Sequence, residues 1–180
     1  MFGRADASGS ARLMRDALAH ADALHDFAFH LSGNAAEADD LVQETYARAL
    51  GAADQFVPGT NLKAWLFRIL QHLFIDNYRR QRDRRTEGGL DTTDAEVPAG
   101  THPAQDELGQ GQLKQVVGHE IEAALMKLTP DARLAVLLDL QGFDEAEMAT
   151  LLDCAPGTVK SRLFRARAAL RELLREHREP

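Results

Sequence analysis

One cysteine among 180 residues leaves no partner for an internal disulfide. Cys154 therefore fits a reducing compartment, where a lone thiol behaves as a small buried apolar side chain. Long apolar runs are missing too, since no stretch nears the roughly 20 residues needed to cross a bilayer. No membrane insertion is expected. The opening residues, MFGRADASGSARLMRDALAH, lack the apolar core of a signal peptide. These absences together predict a cytoplasmic chain. Sustained period-2 alternation with β-branched residues is absent, which argues against sheet. So are the familiar catalytic patterns: there is no P-loop, no Ser/His/Asp arrangement and no Cys-x-x-Cys. The histidines, at positions 20, 25, 30, 72, 102, 119 and 177, are scattered. His20, His25 and His30 lie five apart, which rotates them around a helix instead of stacking them on one face. No catalytic residue, metal site or cofactor is expected, and an enzyme reading fails for want of an acid/base or metal cluster.

The chain that remains has an all-α pattern. Leu13, Leu18, Leu24, Phe27, Ala28 and Leu31 suit one amphipathic helix ending near Gly33-Asn34. A second helix, from about Ala35 to Leu50, carries an apolar stripe of Ala38, Leu41, Val42, Thr45 and Ala49, with Asp40, Gln43, Glu44 and Ala47 on the opposite face. A short loop from Ala52 to Asn61 holds the turn formers Pro58 and Gly59, and Thr60 or Asn61 can cap the next helix. That helix is long, about Leu62 to Arg84, with Leu62, Trp65, Leu66, Ile69 and Leu73 as its expected buried stripe. Residues 86–112 are rich in Gly, Pro, Thr and acid, too poor in large apolar groups to offset chain entropy, and read as a flexible linker. Helices are then expected over Leu113–Leu128, Asp131–Leu140, a short segment capped by Asp144, and Thr158–His177. The organisation is two small helical domains, 10–85 and 113–177, joined by the linker.

The net charge of −7 argues at first against nucleic acid, but its distribution reverses that impression. Residues 62–85 carry +5 and residues 154–180 carry +4, whereas 1–61 carry −5 and 86–153 carry −11. Two basic blocks in an acidic chain are candidate phosphate-facing surfaces, because steering follows local field and not total charge. Charge alone leaves solvated helix faces equally open. The C-terminal pattern is sharper: two short helices joined by a tight turn, the second rich in basic and hydroxyl groups, form a helix-turn-helix. Val159, Leu163 and Ala166 face inward at i, i+4, i+7, leaving Lys160, Ser161, Phe164, Arg165 and Arg167 outside. Lys and Arg bond guanine edges or phosphates, Ser bonds either, and Phe contacts a thymine methyl. This pattern by itself leaves repressor, activator and polymerase specificity subunit open. A stand-alone regulator would bind duplex DNA as a symmetric dimer.

The N-terminal half narrows the choice. Asp39-Asp40-Leu41-Val42-Gln43-Glu44-Thr45-Tyr46, then Phe56 and Gly59, then Leu62-Lys63-Ala64-Trp65-Leu66-Phe67-Arg68-Ile69-Leu70, resemble region 2 of the extracytoplasmic-function sigma factors. Gly157-Thr158-Val159-Lys160-Ser161-Arg162-Leu163-Phe164-Arg165-Ala166-Arg167 resembles their region 4 recognition helix. The resemblance implies an alternative sigma factor that binds core RNA polymerase, recognises −35 and −10 promoter elements, helps open the DNA and is held in check by an anti-sigma factor. It implies that Asp39, Asp40, Val42, Gln43 and Glu44 dock on the β′ clamp helices, with the β flap as a further polymerase contact. It places Phe56, Gly59, Thr60 and Asn61 in a loop that captures a flipped −10 base, with Lys63, Arg68, His72, Arg79 and Arg80 along the strand-opening path. His72 stands where the family often has Asn. It places Thr158, Lys160, Ser161, Arg162, Phe164, Arg165 and Arg167 on the −35 duplex. The acidic linker would run toward the polymerase cleft as a mimic of nucleic acid.

Overall fold

The computed structural model describes residues 7–87 and 110–176. Among them are eight α-helices and one 3-10 turn, with no strand, so the all-α class is as expected. They are α1 (Ala7–Leu18), α2 (Ala21–Ser32), α3 (Ala35–Gly51), α4 (Leu62–Glu87), α5 (Gln110–Met126), α6 (Pro130–Leu140), α7 (Glu145–Leu151) and α8 (Pro156–Glu176), with the 3-10 turn at Ala53–Gln55. The linker expected at 86–112 lies mostly outside the described residues, and its two ends prove helical, at the close of α4 and the start of α5. The helices form two compact units, residues up to 28 and from 36 to 87 in the first, residues 29–35 and from 110 onward in the second.

In the first unit the single helix expected over Leu13–Leu31 is two. The chain breaks at Ala19-His20. The Ala17 carbonyl accepts from the His20 amide at 3.0 Å and from the Tyr46 hydroxyl at 3.2 Å, so the end of α1 is satisfied and tied to α3. Leu18, expected inside, is left 60% exposed. Burial, and then the nearby Asp22 charge, raise the pKa of the Tyr46 hydroxyl.

The phase of α4 also differs from expectation. Leu66, Phe67, Leu70, Leu73 and Phe74 are buried, whereas Leu62, Trp65 and Ile69 are only half-buried. The observed set follows i, i+1, i+4, i+7, i+8, an ordinary helical stripe turned by part of a residue step. The reason is Phe67, whose ring lies 4.8 Å from Phe27 in a tilted pair, with Leu24, Leu41 and Leu66 also fully buried in this core. Such a pair adds about 0.5–1.5 kcal/mol beyond the area it buries.

In the second unit α8 packs on α5, α6 and α7. Leu125, Leu134, Leu138, Met148, Leu151, Val159 and Leu163 make the core. Arg133 is buried with them and donates to the carbonyls of Leu125, Met126 and Leu128, so its guanidinium holds the turn between α5 and α6. Thr129 caps α6 with Pro130 in the first helical position, where the missing N–H costs nothing. Gly142, at φ +83°, ends α6 in the left-handed conformation that glycine tolerates best.

Candidate nucleic-acid interface

The buried stripe of α3 is Ala38, Leu41, Thr45 and Ala49. The Thr45 hydroxyl donates to the Leu41 carbonyl at 2.7 Å and so leaves no unsatisfied polar group in the core. Asp39, Asp40, Gln43 and Glu44 stand exposed on the other side, while Val42 is half-buried between the two faces. Two of the acids have partners: His25 Nε2 lies 3.1 Å from Asp39, and Arg48 Nε donates to Glu44 at 2.9 Å. Asp40 and Gln43 line a polar groove with Glu44, Asn77 and Arg80, so Arg80 of α4 shares a surface with the acidic face. Glu37, one turn before, has its pKa raised by burial and then by the Asp40 charge.

The loop before α4 is shaped by local bonds. Gly59, at φ +88°, turns the chain, and the Thr60 amide and hydroxyl both reach the Val57 carbonyl, at 3.2 and 2.7 Å. Asn61 Oδ1 accepts from the Ala64 amide at 3.0 Å, so Asn61 caps α4. Val57, Pro58, Gly59, Thr60 and Asn61 are all exposed. Phe56 is half-buried, its ring 5.2 Å from that of Trp65 and inclined by 47°. Trp65 is thus the floor of the loop and not the core residue expected of it. Lys63 sits 5.5 Å from the centre of the Phe67 ring. Arg68, His72, Arg79 and Arg80 are exposed along α4.

In the second unit Asp144 accepts from the amides of Ala146 and Glu147, both at 2.8 Å, and Glu147 returns a bond to the Asp144 amide at 3.0 Å. This capping box lets a helix of only seven residues start sharply. The turn after α7 places Asp153 at φ 48°, with the Cys154 amide bonded to Ala149 at 3.0 Å. Ala149 is buried at the contact of α7 with α8. Pro156 and Gly157 form the first positions of α8, two residues ahead of the expected start at Thr158.

Val159, Leu163 and Ala166 are buried, which turns Lys160, Ser161, Phe164, Arg165 and Arg167 outward. Phe164 is 75% exposed, the most exposed large apolar side chain among the described residues. Thr158 and Arg162 are half-buried. The α8 cations are unequal. Lys160 pairs with Glu145 at 3.2 Å, Arg162 with Asp131 at 3.9 Å and Arg167 with Asp139 at 2.6 Å, whereas Arg165 Nε donates to the Ser161 carbonyl. Glu145, Lys160, Phe164, Arg167 and Arg171 line one shallow hollow. Glu145 and Asp139 were invisible as partners in the sequence, because such pairs form across helices. No group of three or more potential metal ligands occurs among the described residues, and no described helix is long and apolar enough to cross a membrane.

Known proteins match this chain in sequence and in fold. Sigma-70 region 2 matches residues 17–84, and Sigma-70 region 4 matches residues 118–170. The ECF RNA polymerase sigma factor EcfG of Rhodopseudomonas palustris is 45% identical over 163 residues, which span 90% of this chain and 84% of that one. The ECF RNA polymerase sigma factor SigL of Mycobacterium tuberculosis is 35% identical over 176 residues, 94% of this chain and 93% of that one. The co-crystal structure of the sigma factor RpoE with the anti-sigma factor NepR from Bartonella quintana matches with a TM-score of 0.71 and 36% identity, covering 89% of this chain and 95% of RpoE. CnrH, solved with the cytosolic domain of CnrY, matches with a TM-score of 0.63 and 27% identity over 96% of this chain and 99% of its own. An outward basic helix with one bare phenylalanine, an acidic helix face and a capped loop over aromatic rings thus occur in a chain that belongs to the extracytoplasmic-function RNA polymerase sigma factors of the sigma-70 family.

Proposed function

We propose that the two units divide promoter reading between them. The first docks on the β′ clamp helices of core polymerase through Asp39, Asp40, Val42, Gln43 and Glu44. Its loop, Phe56 with Gly59, Thr60 and Asn61, takes an unpaired −10 base against the Phe56–Trp65 floor, since base–aromatic stacking tolerates any base and hydrogen bonds then choose among them. Lys63, Arg68, His72, Arg79 and Arg80 line the path of the separating strand. The second unit lays α8 in the major groove of the −35 duplex, with Lys160, Ser161, Phe164 and Arg165 nearest the bases and Thr158, Arg162 and Arg167 supporting them. The β flap is the polymerase surface for this unit. The protein is a non-catalytic specificity subunit of a cytoplasmic machine. An anti-sigma factor restrains it, a reading supported by the relative RpoE, solved in complex with the anti-sigma factor NepR.

The observation that carries this reading is the sorting of α8: Val159, Leu163 and Ala166 go inward, while Phe164 remains 75% exposed between basic neighbours. A bare aromatic ring on a basic helix has no folding role and suits a thymine methyl. The test is transcription in vitro with purified core polymerase on templates carrying randomised −35 and −10 segments. Wild type is expected to select a −35 and a −10 sequence, and the Asp40→Ala/Gln43→Ala/Glu44→Ala variant to give no sigma-dependent transcript. Tight binding of duplex DNA by the chain alone, with no transcript from wild type, would replace this reading with a dimeric DNA-binding regulator.

A further inference from the structure

From the Lys160–Glu145 pair we infer that Glu145, at the start of α7, is a positioning residue that makes Lys160 a reader of base edges and keeps it from acting as a phosphate contact; this rests on the −35 reading of α8. Lys160 Nζ lies 3.2 Å from Glu145 Oε2, and the two side chains remain 65% and 50% exposed, so the pair stands at the surface. Both line the hollow that also holds Phe164, the side chain best placed to meet a base. A lysine free on a long stem finds phosphate first, because phosphate is charged, abundant and the same in every sequence. A carboxylate beside the ammonium changes that choice. It repels an approaching phosphate, which is anionic, and leaves a guanine edge, which is neutral and offers O6 and N7 as acceptors, free to bond the remaining N–H groups. The contact also removes rotamer freedom that Lys160 would otherwise lose on binding. The ammonium has three protons, so bonding Glu145 still leaves two for a base.

Arg165 provides the contrast. Its Nε bonds the Ser161 carbonyl of its own helix and no carboxylate lies within ion-pair distance of it among the described residues, which suits a sequence-blind phosphate contact. Arg162 and Arg167 pair with Asp131 and Asp139, so these two contacts tie α8 to α6 and not to α7. Glu145 is the acid of α7 that pairs with an outward cation of α8 beside Phe164.

The test uses the full chain bound to core polymerase and two labelled duplexes: one with the −35 sequence selected from the randomised pool, the other with that segment scrambled. Affinity is measured over a series of KCl concentrations. Glu145→Gln is expected to raise affinity for the scrambled duplex roughly two- to fivefold at low salt, the range exposed charge pairs reach. Affinity for the selected duplex should rise less, so the preference falls. The salt dependence on the scrambled duplex should steepen by about 0.9 in log–log slope, the signature of one added phosphate contact. In a Lys160→Ala background Glu145→Gln should have neither effect, which a merely structural role for Glu145 would not produce. Unchanged preference and slope in Glu145→Gln, or the same changes with Lys160 absent, would overturn the inference while leaving −35 reading intact. A Lys160→Ala variant that keeps full preference for the selected duplex would refute the −35 reading of this residue and the inference with it.

Discussion

Asp144→Ala should loosen the helix-turn-helix without touching the outward face of α8. The side chain accepts two amide bonds at the start of α7, from Ala146 and Glu147, each at 2.8 Å. Alanine accepts neither. The reciprocal bond, donated by the Asp144 amide to the Glu147 carboxylate at 3.0 Å, survives because it uses backbone at position 144. Two charge-assisted bonds and a favourable charge at the helix N-terminus are therefore lost, and removal of such a cap costs about 0.5–2 kcal/mol. The exposed setting, in which water replaces part of the loss, argues for about 1–1.5 kcal/mol. In a domain of this size that lowers Tm by roughly 4–12 °C. A seven-residue helix has no spare turn to absorb the change, so the effect should be concentrated in α7. Amide hydrogen exchange at Ala146 and Glu147 is the direct assay, with thermal unfolding beside it. Asp144→Asn should restore most of the loss, since Asn caps about as well as Asp. Equal exchange rates at Ala146 and Glu147 in wild type and Asp144→Ala would show that the packing of Met148 and Leu151 alone starts this helix, and would refute the capping argument.

The first unit offers two more tests. Phe67→Ala removes a fully buried ring from its pair with Phe27 and should cost about 3–5 kcal/mol, a large share of a small domain's stability, while Phe67→Leu should lower Tm by less. Circular dichroism melts of the two variants check this, and an unchanged melt for Phe67→Ala would place the core elsewhere. Glu37 has its pKa raised by burial and by Asp40, so the folded state holds its proton more tightly than the unfolded state does. Its ionisation therefore opposes folding, a penalty absent below the unfolded value of about 4.5 and growing as pH rises through the folded value. Glu37→Gln should raise stability near pH 7 and have no stabilising effect near pH 4, measured by urea unfolding at both; equal gains at both would show that charge is not the cause.

Local signals proved readable where the interaction itself is local. Asp144 ahead of its short helix and Asn61 ahead of Leu62 each accept from an amide no more than three residues on, so the pattern contains both partners. The inward phase of α8 was legible for the same reason: Val159, Leu163 and Ala166 lie on one face and charged groups on the other. The phase of α4 was not. Leu62, Trp65, Leu66, Phe67, Ile69, Leu70, Leu73, Phe74 and Ile75 occupy most of its circumference, so the stripe that is buried depends on where Phe27 stands. The break between α1 and α2 carries no glycine or proline, and the bond that satisfies it comes from Tyr46, 29 residues away, reaching the Ala17 carbonyl.

The sequence by itself determined the helical class, most of the helix ends and the motifs that mark a sigma factor, because all of these are written in periodicity and short-range chemistry. Only the tertiary structure decided which cations of α8 are free to bind. Lys160 meets Glu145, Arg162 meets Asp131 and Arg167 meets Asp139 across helices, at separations from 15 to 31 residues, and packing alone brings such charges together.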